Sequence, residues 1–390
     1  MRIRIDGTNT INKGAELMLY AILNELERFD RNILVEFNME LYDHYSQCRK
    51  INTDLNFHIL NLWKKALMSV KAINLFSGLK FPEWYMSRYY INIFQPKIDV
   101  LFDASGFMFS DQWNIEYNTY KALYNYYQKL YKNNTFMVFL PQSFGPFQTD
   151  MGKNVADMLN KFADIIFARD SISYAHLLNA GCDEKKILLF PDFTSTVNGI
   201  SLEKHRNLKE GVCIIPNKRM IDKGGIDKIK YIEFITTIIS EIEEKGKHPF
   251  LLNHESIEDS ELCSEININL KNKLPIVDNV NSLEVKGIIS NSYLTITSRF
   301  HGAASALNTG VPCLATSWSH KYEELFRDFK QYDCILDINN INEAINKVTT
   351  FLNPIKNIEI RNNILENQKV VGIKNKEMWE IIWRKYSSKK

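Results

Sequence analysis

The sequence predicts an α/β fold of two domains with parallel sheets, and three observations carry that prediction. Short apolar runs alternate with helical patterns along most of the chain, the runs fall into two series, and a polar, charged stretch separates the series. Strands that alternate with helices lie parallel, because each helix carries the chain back across the sheet before the next strand begins. The length of 390 residues agrees, since one hydrophobic core rarely serves so long a chain and roughly two to three domains are expected.

The first series runs "RIRI" at 2–5, "KIDVLFD" at 97–103, "TFMVFLP" at 135–141, "DIIFAR" at 164–169 and "KILLFPD" at 186–192. Each is short and rich in β-branched or aromatic residues, as a strand covered on both faces must be. Residues 5–19, "IDGTNTINKGAELML", form a polar loop leading into a helix that starts near Gly14. Residues 56–94 are crowded with Trp, Tyr, Phe and Lys, which suits either helices covering one side of the first sheet or a surface resting on a membrane or a lipid-linked substrate. "NGISLEKHRNLKEG" at 198–211 is the expected linker. The second series is "VCIIP" at 212–216, "PFLLN" at 249–253, "PIVD" at 275–278, "YLTIT" at 293–297, "PCLAT" at 312–316 and "CILD" at 334–337. From about 341 the pattern is helical, and "KEMWEIIWRKY" at 376–386 sets Met378, Ile381, Ile382 and Tyr386 on one face that is expected to return to the first domain. The expected units are therefore 1–200, 201–345 and the C-terminal helices 346–390.

Composition narrows the function. With 48 basic against 46 acidic residues the net charge is +2, so no global field attracts a polyanion and a nucleic-acid role gains no support. The six cysteines, Cys48, Cys182, Cys213, Cys263, Cys313 and Cys334, are scattered without C-x-x-C spacing and read as reduced, buried thiols. The start "MRIRIDGTNT" lacks the apolar stretch of a signal peptide, and no apolar run approaches the roughly 20 residues of a membrane span. A cytoplasmic protein is expected, at the inner face of the membrane if segment 56–94 touches lipid. No G-x-x-x-x-G-K-[ST] loop, G-x-S-x-G elbow or H-E-x-x-H zinc pair occurs.

The most informative stretch is "TSRFHGAASALNTGVPCLAT", 297–316, which reads as strand end, turn, helix, glycine stop and next strand. The first N–H groups of a helix lack intrahelical partners and the peptide dipoles favour negative charge there, so such a turn is ready for phosphate or carboxylate. Arg299 and His301 stand at it, the one with a planar fork for an anion, the other able to carry a proton near neutral pH. Either could instead cap the helix or pair with an acid. The small residues Gly302, Ala303, Ala304 and Ser305 allow close backbone approach, which a cap does not need.

Other strand-to-helix loops hold further candidates. Asn9, Asn12, Lys13 and Glu16 belong to the first loop, and Ser105 and Asp111 in "DASGFMFSD" and Gln142 and Ser143 in "PQSFGPF" are suited to hydrogen-bonding a sugar. Arg169 and Asp170 follow a strand and form either a site or a salt bridge beside a capping Asp. Asp192, His254 and Glu255 are additional titratable groups, Lys218 and Arg219 stand where an anion is held after 212–216, and Ser317, Ser319, His320 and Lys321 occupy the turn after 312–316.

Taken together, "N-x-x-N-K-G-A-E-L-M-L", "P-Q-S-F-G-P-F", "A-R-D-S-I-S", "S-R-F-H-G-A-A-S-A-L-N-T-G-V-P" and "S-x-K-Y" resemble the polysaccharide pyruvyl transferase family over roughly residues 5–326. The resemblance implies two Rossmann-like domains facing across a cleft, a GT-B-like fold. It implies transfer of pyruvate from phosphoenolpyruvate to a sugar or lipid-linked oligosaccharide of a cell-surface polysaccharide, as a ketal, with no redox cofactor and no required metal. Arg299 would hold the donor and His301 would be the essential acid, its imidazolium favoured by a nearby phosphate. Arg219 or Lys218, Gly302, Ser317 and Lys321 would complete the donor side, and Asn9, Asn12, Glu16, Ser105, Asp111, Gln142, Ser143 and Arg169 the acceptor side. The chain departs from many relatives at Lys13-Gly14-Ala15-Glu16 and Ala104-Ser105-Gly106, both on the expected acceptor side. A nucleotide-sugar glycosyltransferase of the same fold and a non-catalytic carbohydrate-binding relative are the rival expectations.

Overall fold

The computed structural model describes residues 1–9, 12–30, 33–37, 56–57, 97–255, 257–317 and 321–389. Apart from two residues, segment 56–94 lies outside them, as do Cys48, Ser319 and His320. The first half of the chain builds a parallel sheet from β1 (Arg2–Asp6), β2 (Leu34–Phe37), β3 (Asn56–Phe57), β4 (Val100–Asp103), β5 (Phe136–Gln142), β6 (Ile165–Ala168) and β7 (Ile187–Leu189), in the order β3-β2-β1-β4-β5-β6-β7. The second half builds another from β8 (Val212–Ile215), β9 (Pro249–Leu252), β10 (Ile276–Val277), β11 (Leu294–Thr297) and β12 (Cys313–Ala315), ordered β10-β9-β8-β11-β12 and also parallel. The "CILD" run contributes only a single bridge, Ala315 to Ile335.

The crossovers in the first half are α1 (Lys13–Phe29), α2 (Tyr117–Lys132), α3 (Asp150–Phe162) and α4 (Ser171–Asn179). In the second they are α5 (Arg219–Asp222), α6 (Lys228–Glu244), α7 (Ile257–Ile268), α8 (Ser282–Ser290), α9 (Phe300–Asn308) and α10 (Lys321–Asp328), followed by α11 (Ile341–Leu352) and the long α12 (Pro354–Lys389). Strand residues are almost all buried, β5 over its full seven residues, which is why the strands read as continuous apolar runs rather than alternations.

Each sheet is covered on both faces. On one face of the first sheet Ile3, Ile5 and Phe102 pack with Leu19 and Ile22 of α1, and on the other Leu101 and Phe139 meet Tyr127 of α2 and Leu159 of α3. The second sheet shares one core with α6, α8, α9 and α11, through residues such as Ile235, Ile289, Leu307 and Val348. The last helix joins the two: Ile364 and Val371 belong to the second core, whereas Met378, Trp379, Ile382, Trp383 and Tyr386 close the first. Trp379 and Trp383 both meet Phe102 edge to face. Cys182, Cys213, Cys263, Cys313 and Cys334 are buried and unbonded. No helix among the described residues is long and apolar enough to cross a membrane.

Strand order reverses between β1 and β4 in one sheet and between β8 and β11 in the other. In open parallel sheets the loops at the carboxyl ends of strands diverge at such a switch point and leave a crevice for a ligand. Both crevices open into one cleft.

Candidate active site

A cavity of about 380 Å³ lies in that cleft. Its wall comes from the two switch points: Gly7 after β1, Ser105 and Gly106 after β4, Asn217 and Arg219 after β8, and Arg299, Phe300 and His301 after β11. Five cations line it, Arg169, Arg219, Lys223, Arg299 and Lys321, against a single carboxylate, Glu255. The near-neutral net charge of the chain therefore hides a local gathering of cations, with Asp259, Asp222 and Asp192 paired behind Arg299, Arg219 and Arg169; a site of this size suits a small anion rather than a polyanion.

The turn at 297–301 is built locally. Thr297 Oγ1 accepts from the Arg299 backbone N–H at 3.0 Å, Arg299 is the N-cap residue, and no side chain caps α9. The helix start therefore faces the cavity without the Ser, Asp or Asn that usually closes one. Gly302 is buried one turn in, where a Cβ would press to 2.6 Å from Thr297 Oγ1; its missing side chain seats α9 on β11 and does not line the cavity. Gly302, expected on the donor side, is therefore not among the residues of the wall.

Arg299 turns its guanidinium toward α7, where Nε donates to Asp259 Oδ2 at 2.9 Å and Nη1 pairs with Glu255. Burial lowers its pKa to about 10, and it remains charged at neutral pH. Glu255 also accepts from Asn12 Nδ2 of the first half at 2.7 Å. Asn12 is the N-cap of α1, taking the Gly14 and Ala15 N–H groups, and Asn9 Oδ1 accepts from the Asn12 N–H. Asn9, Asn12 and Ser105 all line the cavity.

His301 is pressed against α1. A Cβ on Gly14 would overlap its ring, so only glycine lets the helix come this close. Its Nε2 stands 3.6 Å from Asp192 Oδ2, and neither atom has a hydrogen-bond partner among the described residues. Burial lowers the imidazole pKa to about 4; Asp192 opposes this and Arg169, Lys321 and Lys286 reinforce it. Burial, more than the neighbouring charges, thus holds His301 neutral near pH 7. Asp192 is fixed as the cap of the turn Phe193–Thr196, and Asn375 of α12 donates to its carbonyl. The sequence shows Asp192 only as one carboxylate among several, because its pairing with His301 is made across the two halves.

Arg169, expected on the acceptor side, crosses to the other. Its guanidinium carbon stands 4.1 Å from the Phe300 ring centroid, Nη1 approaches Asp192 at 3.8 Å, and Nη2 donates to Ser143 Oγ. Lys321 opens α10 close to the Phe300, Tyr322 and Phe107 rings, and burial followed by Arg169 and Arg299 lowers its pKa to about 7. Buried Lys286 of α8 donates to Thr194 O, and burial brings its pKa to about 8. His254, whose Nε2 has no hydrogen bond among the described residues, lines the same wall and is kept neutral by burial, Arg299 and His301.

Six further candidate residues stand off the cavity wall. Glu16 is fully buried, accepting from Tyr20 Oη at 3.1 Å and from the Ser282 N–H of the second half at 3.0 Å. Asp111 anchors a loop, accepting from Gln148 and Thr149 N–H and the Thr149 hydroxyl. Gln142 is buried under the strand ends, donating to Asp103, and Ser143 bridges Arg169 and Asp170. The Lys218 backbone N–H donates to Asp259, and Arg219, not Lys218, stands on the cavity wall. Ser317 stands outside the wall. Sequence reasoning did not single out Asn217, Lys223, Trp113 or Tyr322, all of which line the cavity.

Glu16→Ala is expected to cost about 1–3 kcal/mol, since two donors in a buried seam between the halves lose their acceptor. A shift of the denaturant midpoint measures this, and an unchanged midpoint would contradict the structural role.

The chain matches the family described as Polysaccharide pyruvyl transferase over residues 12–320. It is 22% identical over 417 residues to the amylovoran biosynthesis protein AmsJ of Erwinia amylovora, covering 96% of this chain and 98% of that protein. Among solved structures it is similar to Anabaena HepE in complex with UDP and glucose, with a TM-score of 0.59, 12% identity and coverage of 98% and 100% of the two chains. It is also similar to UDP-GlcNAc 2-epimerase of Methanocaldococcus jannaschii in complex with UDP-GlcNAc and UDP, with a TM-score of 0.53, 16% identity and coverage of 91% and 94%. At such identities the structural likeness shows the fold, which is GT-B-like.

Proposed function

The chain belongs to the polysaccharide pyruvyl transferase family, and on that premise we propose that it transfers pyruvate from phosphoenolpyruvate to two hydroxyls of a sugar in a cell-surface polysaccharide or its precursor. The observation that carries the reading is the uncapped start of α9, flanked by Arg299 and His301 and facing a cavity with five cations and one carboxylate. Phosphoenolpyruvate is a small trianion at most, and its phosphate and carboxylate match that field. The solved structures bound to UDP support only the fold for this chain, so a nucleotide-sugar donor has no comparable observation behind it.

In this reading Arg299, Arg219, Arg169 and Lys321 hold the donor's anionic groups. His301 delivers a proton to C3, and C2 becomes electrophilic. A sugar hydroxyl attacks C2 and gives up its proton, phosphate leaves with the C2–O electron pair, and a second hydroxyl of the same sugar closes the ketal. The balance is one phosphoenolpyruvate and two hydroxyls giving one ketal and one phosphate, without redox change. Asp192, facing Nε2, favours the imidazolium that the first step needs. Asn9, Asn12 and Ser105 are the acceptor-side groups that remain on the wall. A lipid-linked acceptor, with the protein resting on the inner membrane face, is part of the same proposal.

The low pKa of His301 makes donor binding proton-linked. Above about pH 4 the free protein carries a neutral imidazole. The donor's negative groups offset Arg169, Lys321 and Lys286 and raise the pKa above about 4, so a proton is taken up on binding and affinity rises as pH falls through the raised pKa toward about 4. Calorimetry in buffers of different ionisation heat measures the uptake. The wild type is expected to take up more than His301→Asn, and equal uptake would contradict the assignment.

A further inference from the structure

One part of the cavity wall has no use in donor chemistry. Trp113 ends the short turn Asp111–Trp113 on that wall, and its side chain is left 48% exposed. The ring is nevertheless fixed. Its indole N–H donates to Phe107 O, the Phe107 ring meets it edge-on with centroids 6.3 Å apart, and Asn114 turns the chain away at φ 45°. Asp111 ties the whole turn to the backbone N–H groups of Gln148 and Thr149. Lys223 faces the ring across the mouth at 5.9 Å, the outer reach of a cation–π contact.

The neighbouring wall is made of directional polar groups, Asn9, Ser105, Asn217 and Glu255. A rigid aromatic face next to such groups suits a ligand with one face of C–H bonds and a rim of hydroxyls, which is a pyranose ring. We infer that Trp113, supported by Phe107, is the stacking platform for the acceptor's pyranose ring. The inference deepens the pyruvyl-transfer reading and rests on it for the sugar's fate, but the platform is tested by binding alone.

The test uses the full chain labelled with 5-fluorotryptophan, the fluorine signal of Trp113 among the six tryptophans being assigned by its loss in Trp113→Phe. The probes are the methyl pyranosides of glucose, galactose, mannose and N-acetylglucosamine, titrated with phosphoenolpyruvate present. At least one pyranoside is expected to shift the Trp113 signal. Its affinity, read from the remaining protein signals, is expected to fall about tenfold in Trp113→Ala, the factor that corresponds to about 1.4 kcal/mol, and much less in Trp113→Phe, which keeps a ring. Circular dichroism checks that both variants are folded, as the exposure of the side chain implies. A Trp113 signal that no pyranoside moves, or equal affinity in Trp113→Ala, overturns the platform. Phosphoenolpyruvate affinity is expected to stay at the wild-type value in both variants. Failure of the wild type to bind phosphoenolpyruvate would overturn the pyruvyl-transfer reading instead, while the pyranoside titration would still decide the platform.

Discussion

His301→Asn is expected to lower turnover by roughly 10² to 10⁴, the usual worth of a positioned general acid, while the protein stays folded and still binds phosphoenolpyruvate. The size follows from the role: without a proton at C3 the enol phosphate is a poor electrophile, and no other imidazole shares this turn. His254, the other histidine on the wall, is buried and held neutral by burial, Arg299 and His301, so it is a poor substitute acid. Retained fold is expected because the imidazole Nε2 makes no hydrogen bond among the described residues, so its removal breaks little. Single-turnover kinetics on His301→Asn, alongside His254→Asn, measure the effect. Near wild-type turnover in the first with loss in the second would move the acid to His254.

Arg299→Lys is expected to weaken phosphoenolpyruvate binding tenfold or more, since a charge-assisted hydrogen bond is worth roughly 1.5–3 kcal/mol. The charge is kept but the fork is not, and the fork is what spans Glu255 and Asp259 of α7 at once. Asp259 takes Nε and Nη2 and Glu255 takes Nη1, so the guanidinium plane is fixed at the cavity wall. An ammonium at this position satisfies fewer of these partners. Calorimetric titration reads the loss, and unchanged affinity would make Arg299 a structural ion pair.

The alternation of buried apolar runs made most of the fold legible, because parallel strands covered on both faces leave a continuous signature. β2 was not, since Glu36 interrupts its four-residue run, and β3 is only two residues long. The "CILD" run looked like a strand because apolar packing and ladder pairing leave the same trace in a sequence; it packs on the second core, where Cys334 and Leu336 are buried, and pairs only once.

The site was legible where one local turn holds both groups, as at Arg299 and His301. It was not legible where function depends on the halves meeting. Asp192 and Arg169 come from the first half and converge on α9 of the second. Glu16, Asp111, Gln142 and Ser143 show the converse. A polar side chain just after a strand looks the same in sequence whether it faces a ligand or is consumed by a buried neighbour, and only its partners distinguish the two.

The central claim is the transfer of pyruvate from phosphoenolpyruvate, and it is tested most directly by following donor carbon-13-labelled at C3 by NMR in heavy water, with the methyl pyranosides as acceptors. The account predicts a new ketal methyl signal carrying one deuterium from solvent, formed together with one inorganic phosphate per sugar and abolished in His301→Asn. Unchanged phosphoenolpyruvate under those conditions, with release of UDP from a UDP-hexose in the presence of the same acceptors, would contradict it and make the protein a glycosyltransferase.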